Sequence, residues 1–119
     1  IVSHAQAGWP EEVCGLLAGH DDSATEWHPG INVSPTPAVA YELDLDTLFK
    51  QVAFEEAGLK LVGIYHSHPQ GPETPSATDI ERAFYPDAVY LICSLAERDR
   101  PVLRGFRISD GRVTEVGIE

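Results

Sequence analysis

Apolar positions along the chain fall into short runs separated by polar turns, and their spacing predicts most of the elements. The clearest helix is "DLDTLFKQVAFEEAG", where Leu45, Leu48, Phe49 and Val52 fall at i, i+3, i+4 and i+7 and form one apolar face. Asp44 is placed to cap it and Gly58 to end it. Residues 1–9, "IVSHAQAGW", read as the end of a helix closed by Gly8 and stopped by Pro10. "EVCGLLAG" (12–19) reads as a strand before the polar turn "HDDS". "TEWHPGINVS" (25–34) reads as a second strand, broken near Pro29-Gly30. Pro35 and Pro37 keep the next stretch extended. "KLVGIYHSH" is strand-like, and "SATDIERAFYP" is a short helix ended by Pro86. "AVYLICSL" (88–95) has no polar face and predicts a central, buried strand. The last stretch predicts a hairpin around Asp110-Gly111, a favoured two-residue turn. This order predicts an α/β (α+β) fold: a single domain, residues 1–119, with a mixed β-sheet flanked by helices.

Composition narrows the function without altering that fold. At 119 residues the chain is long enough for a real core, and 43% apolar with 23% charged residues is ordinary for a globular protein. Eight Lys+Arg against 19 Asp+Glu give a net charge of -11, which argues against nucleic acid or an anionic membrane as the main partner. The two cysteines, Cys14 and Cys93, sit in apolar runs as buried free thiols do. No apolar run approaches the ~20 residues that span a bilayer. No signal peptide is visible, and the chain opens on Ile1 without methionine; a cytoplasmic protein is the expectation. Trp9 and Trp27 are expected as packing or rim residues.

The chemistry concentrates in "YHSHPQGPETPSATD", Tyr65 to Asp79. On a strand His66 and His68 point to one side with Val62 and Ile64, their Cα atoms about 6.6 Å apart at ~3.3 Å per residue. Two imidazoles on that spacing can converge on one ion. Ser76-x-x-Asp79 has the form of a capping box, with Pro75 marking the loop-to-helix junction. A helix that begins soon after a strand lies near the strand's C-terminal end, so Asp79 in its first turn can face back toward the histidines. Two neutral imidazoles and a carboxylate make a three-ligand zinc site with one position open to water, the catalytic rather than the structural pattern. Such a hydrolase needs a proton shuttle. Glu11 or Glu12, just before the first strand, can supply it if that strand adjoins the one carrying the histidines.

These residues together resemble a family. His66-Ser67-His68, seven intervening residues, Ser76, two residues and Asp79, with "PEEVCGLLAG" upstream, match the JAMM or MPN-plus metalloprotease motif without gaps. The resemblance runs from about Pro10 to the final hairpin, and in compactness it is similar to the bacterial and archaeal members. It implies a JAMM/MPN architecture, broadly similar to that of the cytidine deaminases. It also implies one Zn2+ per chain with a bound water, held by His66, His68 and Asp79. Glu12, two residues before Cys14, matches the catalytic glutamate, and Glu11 does not. Ser76 matches the serine that steadies the oxyanion.

The implied activity is hydrolysis of a peptide or isopeptide bond after the C-terminal tail of a ubiquitin-like protein, in bacteria one of the sulfur-carrier type. The family's opening strand and most of its first helix are absent or cut short, and there is no room for the insertions that eukaryotic relatives use to grip a second ubiquitin. The alternative is a non-catalytic MPN scaffold that binds ubiquitin-like partners. Such scaffolds lack part of the ligand set, and this chain carries all of it. A zinc deaminase would need Pro-Cys-x-x-Cys, whereas Cys14 and Cys93 lie 79 residues apart (93 minus 14). The pattern HExxH is absent as well. Oligomeric state is left open.

Overall fold

A computed structural model describes residues 1–118. Its elements are α1 (Val2–Gly8), β1 (Cys14–His20), β2 (Ser23–Pro29), α2 (Leu45–Glu56), β3 (Lys60–His68), α3 (Ala77–Glu81), β4 (Val89–Ser94), β5 (Val102–Ser109) and β6 (Arg112–Val116). The strands form one six-stranded sheet in the order β2-β1-β3-β4-β5-β6. β3 and β4 pair in parallel, and every other pairing is antiparallel. The sheet is therefore mixed, as the order of runs predicts, and the all-apolar "VYLIC" run lies near its middle. The β5–β6 hairpin turns at Asp110 (φ 52°) and Gly111 (φ 77°), two successive left-handed residues that suit a two-residue turn. Among the described residues no helix is long and apolar enough to cross a membrane.

Side chains alternate between two cores. On one face Leu16, Ala18, Ile64, Tyr90, Ile92, Phe106 and Ile108 pack with Phe54 of α2 and with Ile80 and Ala83 of the α3 region. On the other, Val13, Tyr65, Leu91, Cys93 and Leu95 pack with Ala5 of α1. The Tyr65 hydroxyl, carried into that second core, accepts from the Trp27 indole at 2.9 Å and lies 2.8 Å from His4 Nδ1. Buried phenols normally find such a partner.

Two helices differ from the sequence expectation. In α2 the face formed by Leu45, Leu48, Phe49 and Val52 points outward, with Leu45 69% and Phe49 67% exposed. The inward positions are Thr47 and Phe54, with Gln51 half-buried between them. The cap sets this rotation. Asp44 Oδ1 accepts from the Thr47 hydroxyl at 2.7 Å and from the Ile31 amide at 2.9 Å, and Oδ2 accepts from the Thr47 amide. The first turn is thereby pinned with Thr47 toward the sheet, and Phe54, two turns on, follows it. The second difference is α3, which ends at Glu81 rather than running to Pro86. The turn tightens through Ala83 N–H to Ile80 O and Phe84 N–H to Arg82 O, and Pro86 disfavours helical backbone at Tyr85.

The two faces of α2 make opposite predictions. Phe54→Ala should cost about 3–5 kcal/mol in urea unfolding, as loss of a buried ring does. Phe49→Gln or Val52→Gln should stay within about 0.5 kcal/mol of wild type. A large loss at Phe49 with little at Phe54 would mean that the helix is rotated from the orientation described.

Candidate active site

β3 presents Ile64, His66 and His68 on the face that carries α2 and α3, and both histidines are buried. Their Nε2 atoms lie 3.0 Å apart. Asp79, in the first turn of α3, brings its Oδ2 to 2.9 Å from His68 Nε2 and 3.2 Å from His66 Nε2. Three ligand-type atoms thus converge from two elements at the C-terminal end of the parallel β3–β4 pair, where sheets of this kind place their sites. The turn that returns the chain from β3 needs Gly71 at φ 77°, its amide bonded to the His68 carbonyl at 3.0 Å.

The capping box is real and is part of the same cluster. Ser76 Oγ accepts from the Asp79 amide at 3.1 Å, and Asp79 Oδ2 accepts from the Ser76 amide at 2.9 Å. The cap and the metal-facing role coexist: Asp79 closes the cap and faces the histidines at once. Because Ser76 Oγ is an acceptor in the cap, its own O–H proton remains free to donate.

Glu12 stands on the neighbouring strand's approach. Cys14 pairs with His66 across β1–β3, so continuing the antiparallel register by two residues sets Glu12 opposite His68 on the same face. Two bonds fix this junction: the Val13 amide donates to Ser67 Oγ at 2.8 Å and the Ser67 amide to the Val13 carbonyl at 3.0 Å. Glu12 is 6% exposed, whereas Glu11 is exposed to solvent. Burial pushes the Glu12 carboxyl up to about 7; the charge of His68 opposes that rise and that of Asp79 adds to it.

The histidines differ in their surroundings. Burial lowers the His66 pKa, against the pull of Asp79, and so favours the neutral ring. For His68 burial also acts downward, but the bonds to Asp79 and the Pro72 carbonyl and the charges of Asp79 and Glu12 raise it. Burial would raise the Asp79 carboxyl, yet its bonds to the two imidazoles hold it far below the usual carboxylate range. His68 Nδ1 donates to the Pro72 carbonyl at 2.8 Å, which in the neutral ring fixes the tautomer and leaves the Nε2 lone pair to ligate a metal. His66 Nδ1 is buried and has no hydrogen-bond partner among the described residues.

The cluster fits a zinc ion. Bonds of ~2.0–2.1 Å in a tetrahedron set ligand atoms about 3.3 Å apart. The separations here, 2.9 to 3.2 Å, need to open by only a few tenths of an ångström. The donor set, two imidazoles and one carboxylate, is that of catalytic zinc sites, with a fourth position left for water.

Fold and site together define a class: a mixed sheet whose central parallel pair ends in a His-His-Asp cluster with a buried glutamate beside it. Comparison with known proteins gives that class its family. Residues 1–109 match the profile described as prokaryotic homologs of the JAB domain. The chain is 52% identical over 101 residues to a desampylase of Haloferax volcanii, covering 79% of this chain and 73% of the relative. It is 42% identical over 118 residues to a CysO-cysteine peptidase of Mycobacterium tuberculosis, covering 97% of this chain and 80% of the relative. A solution structure of a Desulfitobacterium hafniense protein superposes with a TM-score of 0.81 at 35% identity, over 97% of this chain and 82% of that one. The chain belongs to the prokaryotic JAB/MPN family, whose named members here are hydrolytic enzymes.

All five residues singled out from the sequence lie at this end of the sheet: His66, His68 and Asp79 in contact, Ser76 capping Asp79, and Glu12 across the strand. Tyr41 was not singled out. Its ring stacks on His66 with centroids 4.5 Å apart and planes at 25°. It sits in the Pro-rich stretch between β2 and α2, where no periodicity marks it.

Glu12 should oppose stability in the metal-free protein. Its folded pKa of about 7 lies above the ordinary 4.5, so it costs nothing below 4.5, and stability is lost as pH rises from there through about 7. In chelator, Glu12→Gln should match wild type near pH 4 and exceed it near pH 8 by about 3 kcal/mol in urea unfolding. A difference that does not change with pH would show that the Glu12 carboxyl is not held in a desolvating site.

Proposed function

We propose that this chain is a zinc-dependent peptidase or isopeptidase acting on the bond after the C-terminal tail of a ubiquitin-like protein of the sulfur-carrier type, and that residues 1–119 act as one metalloprotease domain. The observation that carries the reading is the convergence of His66, His68 and Asp79 within reach of one ion, with a buried carboxyl, Glu12, on the same face of the adjoining strand. The names of its relatives, a desampylase and a CysO-cysteine peptidase, support the substrate class.

In this reading His66 Nε2, His68 Nε2 and Asp79 would hold one zinc ion. An ion bound there would supply Lewis acidity toward the scissile carbonyl and a water. Glu12, desolvated and poised near neutrality, would take a proton from the water as its oxygen bonds to the scissile carbonyl carbon and deliver that proton to the amine nitrogen as the C–N bond breaks. The Ser76 hydroxyl, its oxygen occupied by the Asp79 amide, donates its proton toward the carbonyl oxygen as negative charge develops. The extended tail of the substrate is suited to binding as a strand added beside a sheet edge. Cys14 and Cys93, both buried free thiols, fit a reducing compartment and hence the cytoplasm.

Protein purified without chelator should carry about one zinc per chain, and His68→Ala should carry none. A wild-type protein that never takes up zinc ends this reading. A sulfur-carrier protein extended past its terminal Gly-Gly should be cut after the second glycine. Glu12→Gln should lose about 10²–10⁴ in rate while keeping its zinc. Ser76→Ala should lose about 10²–10³ in kcat, together with about 1 kcal/mol of stability from the lost cap. Cleavage unchanged in Glu12→Gln would remove Glu12 from the mechanism.

A further inference from the structure

The two histidines of β3 are held by different means. A metal-ligating histidine usually donates its second ring N–H to an acceptor, which stops the ring from turning about χ2. His68 has that acceptor in the Pro72 carbonyl. His66 Nδ1 has none among the described residues, and the ring is buried. Rotation about χ2 of a histidine is otherwise soft and roughly two-fold, so something else must keep His66 Nε2 aimed at the shared point. The aromatic neighbours of the ring among the described residues are His68, edge-on at 4.8 Å and 67°, and Tyr41, stacked at 4.5 Å and 25°.

Tyr41 is itself clamped. Its two chain neighbours are tied to one side chain, Asn32, which donates to the Ala40 carbonyl at 3.0 Å and accepts from the Glu42 amide at 3.1 Å. The same Asn32 amide donates to the Glu12 carbonyl at 2.9 Å. The Glu12 amide in turn donates to the Pro37 carbonyl of that loop at 2.7 Å. One loop between β2 and α2 thus fixes the backbone of Glu12 and places an aromatic ring against His66.

We propose that Tyr41 is a positioning residue of the metal centre: its ring, clamped through Asn32, holds the His66 imidazole in the ligating orientation in place of the hydrogen bond His66 lacks. The role belongs to the flat ring and not to the phenol hydroxyl. The inference rests on His66, His68 and Asp79 being the zinc ligands.

The test compares Tyr41→Phe, which keeps the ring, with Tyr41→Leu, which fills the space without it. Zinc affinity is read by competition against a chromophoric chelator. Independently of metal, NMR of the zinc-free protein reads the ring-current shift on the His66 ring protons. Tyr41→Phe should bind zinc as wild type does and keep the shift. Tyr41→Leu should bind about 10–100-fold more weakly and lose the shift. If Tyr41→Leu does not fold, Tyr41→Met provides the same comparison with a flexible side chain. Wild-type affinity in the folded ring-less variant overturns the proposal, as does a Phe variant that loses as much as Leu. Absence of zinc binding by the wild-type protein overturns the metal centre and this role with it; wild-type binding with an indifferent Tyr41→Leu overturns this role alone.

Discussion

One carboxylate oxygen joins the two halves of the site. Asp79 Oδ2 closes the cap of α3 by accepting from the Ser76 amide, and the same atom faces both imidazoles of β3. A helix of five residues has little stability of its own. What holds α3 in place is the cap at its start and the packing of Ile80 and Ala83 on the sheet. The geometry of the cap therefore sets the geometry of the ligand cluster. Ser76, by accepting from the Asp79 amide, orients the carboxylate and keeps a free hydroxyl proton at the same place.

The sheet supplies the other constraint. Residues i and i+2 of a strand share a face, so one strand delivers both histidines without any loop having to fold around them. Parallel pairing with β4 puts the end of β3 beside the return to α3, while antiparallel pairing with β1 brings the chain before Cys14 back to the same end. Residues far apart in sequence, Glu12 and Asp79, are brought to the same end of the sheet, Glu12 by the β1–β3 register and Asp79 by the return from β3 into α3. The burial that raises the Glu12 pKa also lowers that of His66, so one cause favours a base and a neutral ligand together.

Much of this is legible in residue order, for local reasons. The alternation in "IYHSH", the turn at Asp110-Gly111 and the Ser76-x-x-Asp79 cap each depend on residues within a few positions of one another. The choice of Glu12 over Glu11 comes from family resemblance, and strand parity gives it a physical reason, since only Glu12 shares a face with Cys14 and His66. The rotation of α2 is not legible. Its apolar periodicity marks Leu45, Leu48, Phe49 and Val52, but the phase is set by Asp44 gripping Thr47 and the distant Ile31 amide. The Asn32 clamp and Tyr41 escape notice for the same reason. Their partners are Glu12 and His66, one on each side in sequence, and only the closed loop brings them together.

The claim underlying all of this is that His66, His68 and Asp79 are ligands of one zinc ion. It is tested most directly by crystals of the protein grown with zinc and measured on both sides of the zinc absorption edge. The expected result is one strong anomalous peak per chain, at bonding distance (~2.0–2.2 Å) from His66 Nε2, His68 Nε2 and an Asp79 carboxylate oxygen. Zinc located elsewhere, with these three side chains still bonded only to one another, would contradict it.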